Sequence, residues 1–122
     1  MAAVPPAGLG DPGEHSLATA LRELAEETGI RPAAPARPLA VDYRCAAGGW
    51  PPVVDFAFAA APVPAGTAVR LSGERDAFAR RTFEEWLPFL QSEQSAWFAS
   101  LWRAHLRAAT VVLVDGRETA AP

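Results

Sequence analysis

The clearest period in the chain lies between Ser16 and Thr28, where Leu17, Leu21 and Leu24 recur on one face of a helix and Arg22, Glu23, Glu26 and Glu27 lie elsewhere on the cylinder. Pro12-Gly13 predicts a turn just before it. Ser16 is the expected N-cap, and Gly29 suits the left-handed position that ends a helix. The RPAAPARP stretch that follows is too proline-rich for regular structure and reads as a surface linker.

Strand-like content appears at Leu39 to Arg44 and Val53 to Ala59, joined by a CAAGGWPP turn. In VVDFAF the residues Val54, Phe56 and Phe58 share one face, the alternation of a sheet covered well on one side. A short strand is expected at Ala68 to Leu71, and SGERD reads as a polar loop. Phe78 to Phe83 is expected as a strand leading into a short helix at Glu84 to Leu90, interrupted near Pro88. From Ser92 to Ala109 the period is helical again, with Trp97, Leu101, Trp102 and Leu106 or His105 forming the apolar stripe. Thr110 to Val114 is β-branched and ends at Asp115-Gly116, a last strand and turn.

Composition narrows the class. With 122 residues, half of them hydrophobic, the chain has room for one core, and a single domain over 1-122 is expected. The net charge of −3 gives no basic surface for nucleic acid. The lone cysteine, Cys45, cannot form an internal disulfide, no signal peptide is readable at the N-terminus, and no apolar run is long enough to span a membrane. A cytoplasmic protein without membrane contact is the expectation.

Candidate chemistry concentrates in the first helix. Glu23, Glu26 and Glu27 stand at i, i+3 and i+4, within reach of one another, an arrangement that destabilises a helix unless a cation offsets the repulsion. Magnesium or manganese takes oxygen ligands and is commonly completed by water and phosphate. Arg22 is placed to hold one of these carboxylates with its guanidinium fork. Acidic runs on amphipathic helices are usually solvated faces. What separates this one is its full pattern: Gly8, Glu14, Arg22, Glu23, Leu24, Glu26, Glu27, Gly29 and Ile30 stand at fixed intervals with no position missing.

That pattern is a complete Nudix box, and the chain resembles the Nudix hydrolase family. The resemblance implies an α+β domain, a Nudix-type α/β/α sandwich with a mixed sheet. The box would occupy 8-30, the later strands about 39-83 and the C-terminal helix about 92-109. It implies a metal-dependent hydrolase acting on a diphosphate bond in a small nucleoside diphosphate derivative. Glu23, Glu26 and Glu27 match the family's metal-binding carboxylates, Arg22 and Glu14 the residues that orient them, and Gly8 and Gly29 its turn glycines. The carbonyl of Ala7 matches a ligand used by some members. Glu23 is the first candidate for the base and Glu74, in the SGERD loop, the second, with an ordinary loop acid at least as good a description of Glu74.

VPPAGLGDPGE looks like the PAG form found in sugar-nucleotide and ADP-ribose pyrophosphatases, whereas the proline expected beyond the box in ADP-ribose hydrolysing members is not at that place. The family carries several strands before the box, and Met1 to Pro6 leaves room for the last residues of one at most, so a domain truncated at its N-terminus is expected. A fragment or misplaced start, a homodimer covering the open edge, and a non-catalytic binding or regulatory module are the three explanations. His15 and His105 are read as incidental, Cys45 as packed or inert, and Trp50, Trp86, Trp97 and Trp102 as core or interface aromatics, with Trp50 also placed to stack on a base or sugar.

Overall fold

The computed structural model describes residues 7–33, 36–73 and 81–119. Its elements are α1 (Ser16–Thr28), β1 (Arg37–Arg44), β2 (Val53–Ala59), α2 (Phe83–Trp86) running into a 3-10 turn at Leu87–Phe89, α3 (Ser92–Leu106), β3 (Val111–Val114) and β4 (Arg117–Glu118). These are helices with a mixed four-stranded open sheet, an α+β architecture. Among the described residues no helix is long and apolar enough to cross a membrane.

The described residues of 38–59 and 82–119 form one compact unit, and those of 7–37 and 60–81 form another. The first unit contains the sheet, in the order β2-β1-β3-β4. β1 and β3 run parallel, with Ala40 opposite Val111 and Asp42 opposite Leu113, and β3 turns back onto β4 as an antiparallel pair. The hairpin turn is Asp115-Gly116, both at positive φ (49° and 79°), the backbone twist that suits a two-residue hairpin loop. The fully buried carboxylate of Asp42 fixes that turn, accepting from the Gly116 N–H at 3.0 Å, and Arg44 closes over it with Nη2 3.0 Å from the other oxygen.

α3 covers the face of the sheet that carries Leu113 and Ala40. Leu101 and Ala104 belong to one buried cluster with Leu39, Ala40 and Leu113, and Ala57, Ala59, Trp97 and Val111 pack against it. The covered sides of β1 and β2 carry Ala40, Ala57 and Ala59, whereas β3 contributes the larger Val111 and Leu113 to the same cluster. Two expectations change accordingly. The covered side of β2 carries Ala57 and Ala59, while Val54 and Phe56 are exposed. The buried positions of α3 are Ser100, Leu101 and Ala104, while Trp102, His105 and Leu106 are exposed. Phe83 stacks instead on Phe98 and Trp102, with ring centroids 5.4 and 5.6 Å apart.

Boundaries also shift. β1 starts at Arg37, and α3 ends at Leu106 rather than Ala109. The expected strand ending at Phe83 is not found in its described part, because Thr82 caps α2: its hydroxyl accepts from the Glu85 N–H and the Glu85 carboxylate accepts from the Thr82 N–H. Residues 78–80 of that expectation lie outside the described residues. Nor is Ala68 to Leu71 a strand. Its backbone donors serve a different purpose: the N–H of Arg70 donates to the Thr28 carbonyl at 2.8 Å and that of Ser72 to the Glu27 carbonyl at 3.3 Å, satisfying the C-terminal end of α1.

Candidate active site

The second unit presents α1 and the loop that enters it. Asp11 to Glu14 is a tight turn, closed by the Glu14 N–H on the Asp11 carbonyl at 3.0 Å, with Pro12 at its second position and Gly13 at φ 79° at its third. The turn brings the Glu14 carboxylate against the helix. The N-cap is His15, whose Nδ1 accepts from the Ala18 N–H at 3.1 Å, and Ser16, the expected cap, is the first helical residue. The helix closes at Gly29, at φ 75°.

Glu14 collects four donors. Its Oε1 accepts from the Asp11 N–H (3.0 Å), the Thr19 hydroxyl (2.7 Å) and Arg22 Nη2 (3.0 Å), and its Oε2 accepts from Arg22 Nε (2.9 Å). The Arg22 guanidinium, with the Asp11 N–H and Thr19 behind it, holds the Glu14 carboxyl down from 4.5 to about 2. Reciprocally, the Glu14 carboxylate pushes the Arg22 guanidinium still higher. Thr19 was not singled out by sequence reasoning. Its signal is its position one turn after His15, buried although polar.

The other edge of the guanidinium faces the acids. Arg22 Nη1 donates to Glu23 Oε1 at 3.0 Å and to Glu26 Oε2 at 3.2 Å, and Nη2 also donates to the Leu9 carbonyl at 3.1 Å. Glu23 fills the space beside Gly8, where any Cβ would collide with its carboxylate. A side chain at position 8 would therefore displace the Glu23 carboxylate from the place it holds beside Arg22. Glu27 is only 5 % exposed, and its Oε2 accepts from the Ala7 N–H at 3.0 Å, tying the residue before the box to the last turn of the helix.

Of the expected site residues, Glu14, Glu23 and Glu26 are thus joined through Arg22, Ala7 is bonded to Glu27, and Gly8 lies beside Glu23, with the Glu26 side chain 57 % exposed. Glu74 lies outside the described residues. Among the described residues no three carboxylate, imidazole or thiol groups converge closely enough to hold one metal ion. Glu23, Glu26 and Glu27 of the expected metal set therefore share one helix, but their carboxylates do not converge on a common point, and Ala7 precedes that helix. In chemical type the set fits a hard divalent cation, since every donor is oxygen.

The remaining candidates stay ordinary. Cys45 is exposed rather than packed, and the Asp115 carboxylate beside it pushes its thiol upward, away from nucleophilic character. His105 lies beside Trp102 at 5.5 Å. Trp50 is exposed at the β1–β2 turn, where Ala47 and Trp50 exchange both backbone hydrogen bonds.

The family model of the NUDIX domain matches residues 2–103, and the chain belongs to the Nudix family. That membership supports a pyrophosphohydrolase-type activity in general. No curated protein and no solved structure matches the chain.

Proposed function

We propose that this protein hydrolyses a diphosphate bond in a small nucleoside-diphosphate-linked molecule, of the nucleotide-sugar or ADP-ribose kind, with magnesium or manganese held by Glu23, Glu26, Glu27 and the Ala7 carbonyl. The observation that carries the reading is the Arg22 fork, which joins Glu14 on one edge to Glu23 and Glu26 on the other. A solvated acidic face has no use for a buried carboxylate such as Glu27 or for a glycine that makes room for Glu23. When bound, the ion supplies Lewis-acid stabilisation of the diphosphate charge and a more acidic water.

The chain's own residues do the rest. Glu14 and Thr19 hold the guanidinium in place, the guanidinium neutralises Glu23 and Glu26, and Glu27 ties the Ala7 N–H to the helix. Glu23 is the first choice for the group that takes the proton from the attacking water, and Glu74 the second. Attack in line with the leaving phosphate completes the step.

Incubation with magnesium and a panel of nucleotide sugars, ADP-ribose, dinucleoside polyphosphates and nucleoside triphosphates, with released phosphate or nucleotide counted, tests this reading. Turnover is expected on at least one of them, and Glu26→Gln and Glu27→Gln are expected to lower it at least about 100-fold while circular dichroism stays unchanged. Variants as active as the wild type remove the site assignment. A second reading, a Nudix-like module that binds without turnover, is favoured by the lack of three converging ligands among the described residues. It predicts nucleotide binding by calorimetry with no product at any metal concentration.

A further inference from the structure

The guanidinium of Arg22 has five N–H bonds, and each has an acceptor. Nε serves Glu14 Oε2, Nη2 serves Glu14 Oε1 and the Leu9 carbonyl, and the two hydrogens of Nη1 serve Glu23 and Glu26. The fork therefore has two edges with different tasks. The Nε–Nη2 edge is bidentate on a carboxylate that two further donors, the Asp11 N–H and the Thr19 hydroxyl, hold in place. The Nη1 corner reaches the carboxylates of Glu23 and Glu26, the second of them more than half exposed.

A positive charge already sits between two of the three metal-binding acids, which explains both why the helix tolerates this crowding of carboxylates and why they do not enclose a common point. We propose that Arg22 is a built-in counter-cation for these acids: Nη1 holds Glu23 and Glu26 until a divalent ion takes them, and the ion binds by displacing Nη1 while the Nε–Nη2 edge stays anchored on Glu14. The proposal rests on the reading of Glu23 and Glu26 as metal ligands. Its consequence is opposite to that of a residue that merely arranges the ligands, because a competitor weakens metal binding and an arranger strengthens it.

Calorimetric titration of manganese, and separately magnesium, into the wild type and Arg22→Gln decides between them. The variant is expected to melt lower than the wild type without metal, to bind the ion about tenfold more tightly, and to gain more in Tm from it. Arg22→Lys, a second variant should the first not fold, keeps the charge near Glu14 but has one ammonium that cannot serve both sides of the fork, and it is also expected to bind more tightly than the wild type. Equal or weaker binding by the folded variants, with the wild type binding normally, overturns the counter-cation role alone. An absence of binding heat in all three proteins, with no metal-dependent change in Tm, overturns the metal reading and this proposal with it.

Discussion

The two long helices are stabilised by different physics. In α3 the buried residues are Ser100, Leu101 and Ala104, the last two in the core cluster with Leu39, Ala40 and Leu113 of the sheet. In α1 the buried residues are Thr19 and Glu27, both polar, and Leu17, Leu21 and Leu24 are only half-buried. The first helix is organised around hydrogen bonds to charge, the second around apolar area removed from water. A helix of the second kind responds to lost volume and hardly to pH or ions; a helix of the first kind does the reverse.

Removing volume from the sheet side is expected to have the largest effect on stability. Leu113 has no exposed surface, so Leu113→Ala costs about 2–5 kcal/mol in urea denaturation. If the comparison holds, the folded fraction of that variant keeps the wild-type metal titration. Loss of metal response in a folded Leu113→Ala protein would break it.

A smaller effect is expected where α1 ends. Gly29 sits at φ 75°, and a Cβ there meets Arg70 Cβ at 3.4 Å, so Gly29→Ala costs about 1 kcal/mol through backbone strain. Amide exchange is the sharper measurement, since the added opening is expected in the last turn of α1 and not in α3.

The smallest effect, and the most selective, is the response to acid. The folded Glu14 carboxyl titrates near 2, below its ordinary 4.5. The sign follows directly: the stability it contributes is complete above about pH 4.5 and is lost as pH falls through about 2. Thermal melts of the wild type and Glu14→Gln are expected to differ at pH 6 and to converge toward pH 2. Parallel curves across that range would show that the Arg22 contact contributes nothing.

Much of α1 was legible because its determinants are local. Its span follows from the leucine spacing, its end from Gly29, and the mutual reach of Arg22, Glu23 and Glu26 from helical geometry over four residues. The cap falls one residue earlier than the expected Ser16, because the ring nitrogen of His15 takes the Ala18 N–H. Ala68 to Leu71 was misread for a related reason. Its residues suit a strand, but the carbonyls within reach of Arg70 and Ser72 belong to a helix end.

By itself, then, the sequence determined the box, its helix, the acids one turn apart and the family they define, all of which depend on spacing along a rigid local structure. Only the tertiary structure decided that Glu27 is buried on the Ala7 N–H, that Glu23 occupies the space Gly8 leaves, and that the alanine side of β2 is the covered one. It also decided the pairing of β1 with β3 and the anchoring of the Gly116 turn on Asp42, 74 residues away. Contacts of that kind depend on which surfaces the folded chain brings together, and no period in the sequence encodes the distance between them.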